Sequence, residues 1–221
     1  MRRAEQAVEF LDRPAPHADR EAALRDIDRL NAWFGGYRLT RRQIDRLGDG
    51  AARLTVIDVG GGGGAFARRL ARAARRRGRV LRVIVVDRTT GLAGDDPDVL
   101  AVRADATALP FREAAADVVT ASLLLHHLEP DAAARSLAEM RAVARRAVVV
   151  NDLLRTRLTL ALVWLATRLF ARHRFARHDG PLSVRRAYAP DELRTLAEKA
   201  GIARLAIRRH PLLGRLVAVA E

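Results

Sequence analysis

Apolar runs alternate with amphipathic segments along most of the chain after residue 50. Five short apolar runs predict buried β-strands: Leu54–Val59, Val80–Val86, Val99–Arg103, Asp117–Leu123 and Ala147–Val150. Three segments with helical spacing or stop signals predict α-helices: Ala65–Arg77, Asp131–Val143 and Pro190–Ala200. Because apolar strands alternate with helices, the pattern indicates an α/β fold whose mostly parallel sheet is covered on both faces.

The two ends of the chain follow other patterns. The first fifty residues are predicted to be helical, with a turn at Trp33–Tyr37 and a second helix over Thr40–Leu47 that ends at Gly48. Two strand-like runs near the end, Ala203–Ile207 and Leu216–Ala220, are joined by a link too short for a parallel crossover, so we expect an antiparallel hairpin. We therefore divide the chain into an N-terminal helical lid, 1–50, and a core, 51–221.

The segment 152–188 is predicted to be a helical cap inserted in the core. Within it, Leu158–Ala171 forms a helix that is apolar on nearly every side, although its apolar part is too short to cross a bilayer. We interpret this segment as a lid whose inner side, including Trp164 and Phe170, lines an apolar pocket. There are two alternatives. The segment is a plain core helix, or a helix at 153–171 rests on a membrane surface while its arginine side chains reach toward the lipid headgroups.

The amino-acid composition limits the kinds of chemistry and partner that this protein can have. The chain has 221 residues, 49% of them hydrophobic, and a net charge of +14, but no cysteine, which excludes disulfides and thiolate chemistry. The basic residues are nearly all arginines spread along the chain, and aromatic residues do not interleave with them, so a nucleic-acid partner is disfavoured. The N-terminus lacks the apolar segment of a secretory signal, and we expect a cytoplasmic protein.

Five consecutive glycines, 60–64, lie between the first strand and the first helix after residue 50. Such a loop lets a ligand approach the backbone at the carboxyl end of a parallel strand. Gly60, Gly62 and Ala65 also fit a dinucleotide motif, but Asp58 at the mouth of the loop would repel a pyrophosphate and suits a cation. Asp87 ends the second strand, where it can accept ribose hydroxyls, and Asp105 follows the third, where it can accept an adenine amino group.

The segments D58-V-G-G-G-G-G64, D87, A104-D105-A106 and D117-VVTASLLLHHL128, taken together, resemble class I S-adenosylmethionine-dependent methyltransferases of the small-molecule branch. The resemblance implies a Rossmann-like fold, a seven-stranded sheet with an antiparallel C-terminal strand, and S-adenosyl-L-methionine as the cofactor, with S-adenosyl-L-homocysteine as its product. The cofactor contacts that we expect are Asp58, Gly60, Gly61, Gly62, Asp87, Arg88, Asp105, Ala106, Ser122 and Leu123.

A hydroxyl acceptor needs a base near the end of the fourth strand, where His126 and His127 stand. His126 matches the base of phenol O-methyltransferases, although those enzymes usually have an acidic residue in place of His127, a tryptophan in place of Leu128, and a large N-terminal dimerisation domain. The alternative is that one histidine packs under the cap and the other is hydrogen-bonded to the backbone. His178 is a further base candidate, in a predicted turn where Asp179 would orient it. We expect no metal, because adjacent residues seldom face one ion and no third ligand has a recognisable spacing.

The predicted function is O-methylation of a small apolar aromatic, polyketide-like or quinone-like hydroxyl in secondary metabolism. Substrate contacts are predicted at Trp33, Asn151, Arg155, Trp164 and Tyr188. One alternative is C-methylation of a quinone precursor or a lipid-like acceptor. Two further alternatives are an RNA-binding protein or RNA methyltransferase, and a non-catalytic cofactor-binding scaffold. The segment LLLHHLEP lacks the signature that is common in RNA methyltransferases. The sequence does not predict an oligomeric state.

Overall fold

In the computed structural model, which describes residues 1–48, 50–89 and 96–221, a seven-stranded sheet forms the centre of the chain. Its strands are β1 (Arg53–Val59), β2 (Val80–Asp87), β3 (Val99–Arg103), β4 (Ala116–Ser122), β5 (Ala144–Leu153), β6 (Ala206–His210) and β7 (Arg215–Ala220). The spatial order is β3-β2-β1-β4-β5-β7-β6. Neighbours among β1–β5 pair in parallel, and β7 is antiparallel to both β5 and β6. The predicted Rossmann-like sheet and terminal hairpin are confirmed.

Seven α-helices cover the sheet or extend beyond its edge: α1 (His17–Trp33), α2 (Gly36–Gly48), α3 (Ala65–Arg75), α4 (Pro130–Val143), α5 (Arg157–Phe170), α6 (Arg174–Arg186) and α7 (Pro190–Lys199), counted over the described residues. Leu39 of α2 and Phe66 of α3 belong to the core on one face. Leu137 of α4 and Leu196 of α7 belong to the core on the other. The central strands β1 and β4 are therefore buried on both sides, which explains their nearly continuous apolar sequences, whereas the edge strands β3 and β6 are largely exposed.

The order of the strands reverses between β1 and β4, because the chain builds β2 and β3 on one side of β1 and then returns to the other side. In open α/β sheets, a crevice forms outside the carboxyl ends of the strands at this point. The glycine loop follows β1 there, and a short 3₁₀ turn, Leu125–His127, follows β4. The topology thus brings the glycines and the histidine pair to the same edge of the sheet.

The N-terminal region is only partly helical, which corrects the prediction. Residues 1–16, which we call the N-terminal strap, are non-helical except for a 3₁₀ turn at Phe10–Asp12. The backbone N–H groups of Phe10 and Leu11 donate to the carboxylate of Asp179, at 2.9 and 3.1 Å. Because these donors bond to α6 rather than within a helix, the strap lies across the cap. The second helix, in turn, begins at Gly36, four residues before its predicted start.

The cap segment contains α5 and α6, and the turn predicted at His178–Gly180 is wrong, because these residues lie inside α6. Gly180 serves close packing instead: a Cβ on it would lie 2.7 Å from Thr167 Cγ2 and 3.3 Å from Val163 Cγ1, both on α5. The glycine therefore allows the two helices to approach each other. No helix in the described part of the chain is both long and apolar enough to cross a membrane.

Strand β5 continues past its predicted end at Val150. Asn151 and Asp152, which were expected to follow the strand, pair with Val217 and Leu216 of β7 and are buried. The longer strand forms because β7 supplies hydrogen-bonding partners to β5 from Val148 to Leu153. As a result, the carboxylate of Asp152 lies beneath the histidine turn instead of in a surface loop.

Candidate active site

A cavity of about 730 Å³ lies at the carboxyl ends of β1, β2 and β4. The glycine loop and the acidic residues after the strands form one end, and the histidine turn with the N-terminal strap forms another. Helices α1, α5 and α6 supply much of the remaining wall. Apolar side chains that line the cavity and are also exposed mark its mouth: Phe34, Leu162, Leu165, Leu169, Phe170 and Leu212.

The glycine loop is shaped as much by the protein's own packing as by any ligand. Gly60 has a φ of +72°, and a Cβ on it would lie 2.8 Å from Leu124 Cδ1. A Cβ on Gly61 would lie 2.7 Å from Asp58 Oδ2. Gly62, whose φ is +53°, has free space around it, since the nearest atom to its Cβ position is 3.8 Å away, on Leu24. The backbone of the loop is thus held against β1 and β4, with Gly62 turned toward the cavity.

Asp58 is buried under this loop, at 2% exposure. Burial raises its pKa to about 7, and repulsion from Asp87 and Asp28 adds to the effect. A carboxylate that is costly to ionise alone becomes easier to ionise when a cation binds beside it. This end of the cavity therefore suits a positively charged ligand, which fits the sulfonium and ammonium groups of S-adenosylmethionine.

Asp87 fixes the loop from below. Its Oδ2 accepts from Gly62 N at 2.9 Å, and its Oδ1 accepts from Thr89 N and Thr89 Oγ1 at 2.9 and 3.0 Å. Asp105 accepts from Thr107 N and Oγ1 at 2.8 and 2.7 Å, both through Oδ1. These two bonds hold the pKa of Asp105 below its ordinary value. Each carboxylate oxygen has two lone pairs, so both side chains retain capacity to accept from a ligand.

The ten residues predicted to contact the cofactor all lie in the cavity wall: Asp58, Gly60, Gly61, Gly62, Asp87, Arg88, Asp105, Ala106, Ser122 and Leu123. Leu123 adopts a φ of +57°, in a region that a non-glycine residue enters only at an energetic cost. Its N–H donates to Asn151 O at 2.9 Å, which anchors the strained turn after β4. The strain lies where the chain passes from the cofactor end of the cavity toward the histidines.

His126 and His127 also line the cavity, each oriented by a carboxylate. His126 Nδ1 lies 2.7 Å from Asp152 Oδ1, and His127 Nδ1 lies 2.7 Å from Asp12 Oδ1. The histidine charge and hydrogen bond lower the pKa of each aspartate against the opposing effect of burial. Glu9, from the N-terminal strap, faces both rings at 3.9 Å. The structure thus brings together polar side chains from widely separated positions: Glu9, Asp12, His126, His127 and Asp152.

His178 lies elsewhere. It forms the pair that the sequence suggests, with Nδ1 2.8 Å from Asp179 Oδ1, but its side chain is about half exposed and it is not among the cavity-lining residues. Its ring packs on Phe10 of the N-terminal strap, with the ring centroids 4.2 Å apart. The geometry therefore assigns the His178–Asp179 pair to attachment of the strap.

None of the five residues predicted as substrate contacts is in the described cavity wall: Trp33, Asn151, Arg155, Trp164 and Tyr188. The two tryptophans point outward, at 60% and 51% exposure. The other three are committed to the fold. Asn151 donates to Gly36 O and Thr40 Oγ1.

Arg155 and Tyr188 likewise bond to the protein's own backbone. Arg155 donates to Ala187 O at 3.0 Å, and Tyr188 donates through its hydroxyl to Leu128 O at 2.7 Å. The first contact joins the start of the cap segment to its end, and the second joins the end of the cap segment to the core. Phe170, which the sequence also places on the inner side of the lid, does line the cavity.

Several residues of the site were not predicted from the sequence. Asp152 could have been suspected, because it lies near the carboxyl end of a predicted parallel strand. Glu9 and Asp12 could not, because they reach the site only through the docking of the strap. Asp28 and Tyr37 also line the cavity; they are joined by a hydrogen bond, and Tyr37 stacks on Phe66 at 4.8 Å between ring centroids.

Residues 57–150, which run from β1 to β5, match the family described as "Methyltransferase domain". This segment is a methyltransferase domain. No curated protein matches the chain significantly. The glycine loop, the acidic strand ends and the histidine turn all belong to this methyltransferase domain, whereas the N-terminal strap and the cap lie outside it.

Solved structures share the methyltransferase fold. A putative methyltransferase from an antibiotic biosynthesis pathway of Anabaena variabilis is 20% identical, with a TM-score of 0.56 over 77% of this chain and 64% of that one. A putative O-methyltransferase from Nostoc punctiforme is 16% identical, with a TM-score of 0.56 over 83% of this chain and 55% of that one. A SAM-dependent methyltransferase from Aquifex aeolicus is 18% identical, with a TM-score of 0.54 over 81% and 87%. The chain thus spans about half to two thirds of the first two structures.

Proposed function

We propose that this protein transfers the methyl group of S-adenosylmethionine to a hydroxyl of a small apolar molecule. The observation that carries the proposal is one cavity that joins an acidic glycine loop to a carboxylate-oriented histidine pair. The loop end fits a cation that carries an adenosine, and the histidine end fits a hydroxyl. The names of the Anabaena and Nostoc structures, an antibiotic-pathway methyltransferase and an O-methyltransferase, support the same class of reaction.

The cofactor would supply a methyl group already activated by a positively charged sulfur. Asp87 and Asp105 would accept from its ribose and adenine, and Asp58 would balance its charge from beneath the loop. The residues at the histidine end would orient the acceptor hydroxyl and take up its proton. The protein's contribution is chiefly to align acceptor and methyl group while the cap excludes water.

The wall and mouth of the cavity favour an apolar acceptor. The mouth residues named above offer leucine and phenylalanine side chains, while acidic groups line the loop end and the histidines line the other. A mostly apolar cavity with a few convergent polar groups is typical of small-molecule sites. C-methylation of a quinone precursor remains the alternative chemistry, because it needs the same cofactor end and a similar apolar wall.

The test is to incubate the purified full chain with methyl-labelled S-adenosylmethionine and a panel of phenols, quinols and lipids. We expect label in the organic extract for at least one hydroxyl acceptor. The variant His126→Ala should lose turnover but keep its affinity for the cofactor, whereas His17→Ala, at an exposed histidine of α1, should retain both. If the protein binds a nicotinamide dinucleotide and neither S-adenosylmethionine nor S-adenosylhomocysteine, the proposal is wrong. Transfer to bulk RNA, with salt-dependent binding, would favour the RNA alternative.

A further inference from the structure

The histidine end of the cavity has the geometry of a set of metal ligands. His126 Nε2 lies 3.9 Å from Glu9 Oε1, and His127 Nε2 lies 3.9 Å from Glu9 Oε2. The two imidazole centroids are 4.3 Å apart. One nitrogen or oxygen atom from each of the three residues lies within 4.8 Å of the other two. Adjacent histidines do face one point here, because the 3₁₀ turn tilts both rings toward Glu9.

The partners of the two histidines decide which ring nitrogen carries hydrogen. Asp152 and Asp12 can only accept when ionised, so each Nδ1 at 2.7 Å must be a donor. In the neutral imidazole this leaves Nε2 as a bare acceptor on both rings. Histidines that bind metals usually donate their other nitrogen to a carboxylate, which fixes the ring and raises its basicity. Both members of this pair have that arrangement.

Glu9 adds a third acceptor to this group. Its side chain is 2% exposed, and its Oε1 has no hydrogen-bond donor among the residues that the structure describes. Its Oε2 accepts from Ser183 Oγ at 2.9 Å. Two bare nitrogens and a buried carboxylate face one another here, and unpaired buried acceptors are costly. A cation placed among them would offset this cost.

Arg186 is the nearest permanent cation, but it is already engaged. Its Nη1 lies 2.6 Å from Asp12 Oδ2 and 3.7 Å from Glu9 Oε1, and its Nη2 donates to His127 O at 2.9 Å. The guanidinium thus neutralises Asp12 and holds the strap, and it leaves the space between Glu9 and the two rings to another positive group.

We propose that Glu9, His126 and His127 bind one divalent transition-metal cation through the Glu9 carboxylate and the two Nε2 atoms. Two imidazoles and one carboxylate are a frequent set for Zn²⁺ and other transition metals. Ligands about 2.1 Å from a tetrahedral ion lie roughly 3.4 Å apart. The two histidine–glutamate distances of 3.9 Å need to shorten by about half an ångström, and the other distances in the set, all within 4.8 Å, by no more than about 1.4 Å.

Because all three residues line the cavity, an open coordination position of the cation would face the acceptor. A bound cation lowers the pKa of a coordinated oxygen acid and stabilises its anion. This inference rests on the proposed function, and it specifies how the histidine end would hold an acceptor oxygen. The proposal departs from the expectation of no metal drawn from the sequence, because the third ligand would come from the strap. Glu9 lies 117 positions before His126, a separation that sequence spacing does not reveal.

The experiment is a titration of tag-free, chelator-treated full chain with ZnCl₂ in a calorimeter, with Co²⁺ absorption as a second readout of the ligand set. We expect one equivalent to bind with a Kd of micromolar or below. Glu9→Gln and His127→Gln should each weaken binding by more than about 100-fold, and Asp12→Asn, which removes only an orienting carboxylate, by about 10- to 100-fold. His17→Ala is the matched control, and circular dichroism checks that each variant is folded.

The absence of saturable Zn²⁺ and Co²⁺ binding would overturn the cation site, and so would binding that Glu9→Gln and His127→Gln leave unchanged. Affinity for S-adenosylmethionine is measured in the same metal-free samples. Retained cofactor binding and full methyl transfer without metal would overturn the cation's role and leave the proposed function standing. Loss of cofactor binding in wild-type protein would instead contradict the proposed function.

Discussion

Replacing Asp58 with asparagine should make the protein more stable and a poorer binder of its cofactor. Asp58 lies beneath the glycine loop, where burial, followed by the charges of Asp87 and Asp28, raises its pKa to about 7 from an ordinary value of 3.8. The folded state therefore holds the proton more tightly than the unfolded chain. Stability falls as the pH rises from about 4 to about 7 and stays reduced above that, because the buried carboxylate must then ionise.

The magnitude follows from the shift in pKa. About three pKa units at 1.36 kcal/mol each give an upper limit of about 4 kcal/mol for the cost of ionising Asp58 in the folded protein at pH 8. At pH 5 the same arithmetic leaves less than about 2 kcal/mol, since Asp58 is then protonated in the folded state. Asparagine has nearly the same shape and cannot ionise, so Asp58→Asn should recover most of this cost.

The assay is urea unfolding of the wild type and the variant, without cofactor, at pH 5 and pH 8. We expect the variant to have the larger free energy of unfolding, with a difference that grows toward pH 8. Its affinity for S-adenosylmethionine should fall by about 10-fold or more, as expected for losing an interaction with a charged partner. Asp131→Asn, at an exposed site on α4, is the control and should change neither quantity. A variant no more stable than wild type at pH 8 would refute the reasoning.

Three further substitutions test the cap, the sheet and the strap. Gly180→Ala should lower stability by about 1–3 kcal/mol in thermal unfolding, because its Cβ would meet Thr167 Cγ2 at 2.7 Å. Asn151→Ala should cost about 2–3 kcal/mol, because it leaves buried backbone and hydroxyl groups without their partner. Asp179→Ala should release the strap, since it removes the acceptor for two backbone N–H groups, and limited proteolysis should then cut within residues 1–16 more rapidly.

Two of these substitutions have a matched control variant, and each of the three has an outcome that would contradict it. Thr167→Ser removes the methyl group that the new Cβ of Gly180→Ala would clash with, so the double variant should regain most of the lost stability. If it does not, the loss of stability does not come from this contact. If Asn151→Ala unfolds like wild type, the residue does not hold α2 to β5. Asp191→Ala, at a carboxylate exposed on α7, should be cleaved at the wild-type rate, and equal cleavage of Asp179→Ala would contradict the docking of the strap.

The sheet and the glycine loop were predictable because local sequence determines them. A strand buried on both faces must be apolar throughout, and a run of glycines after such a strand can serve few purposes. The inner face of the cap was not predictable. Helix α5 is apolar on nearly every side, so its sequence does not indicate which side faces the cavity. Trp164 points outward, although the sequence allowed it equally well to face the cavity.

At the histidine end of the cavity, the position of the histidines was predictable but their neighbours were not, for a different reason. The position of His126 after β4 follows from topology, but its neighbours depend on where two distant segments dock. Asp152 reaches it because β5 runs on beside β7, and Glu9 reaches it because the strap is bound by Asp179. Sequence spacing carries no information about contacts of this kind.

The N-terminal strap both supplies side chains to the site and limits access to the cavity. It contributes Glu9 and Asp12 to the histidine end, and the same residues close that end of the cavity against α6. In the proposed reaction, an acceptor would enter past the exposed apolar side chains of the mouth, and only its polar group would need to reach the histidines. If the strap is released, the cavity opens and the ligand set loses its carboxylate in one event. Occupancy of the proposed cation site and protection of the strap from protease should consequently rise and fall together, a coupling that a purely structural strap would not produce.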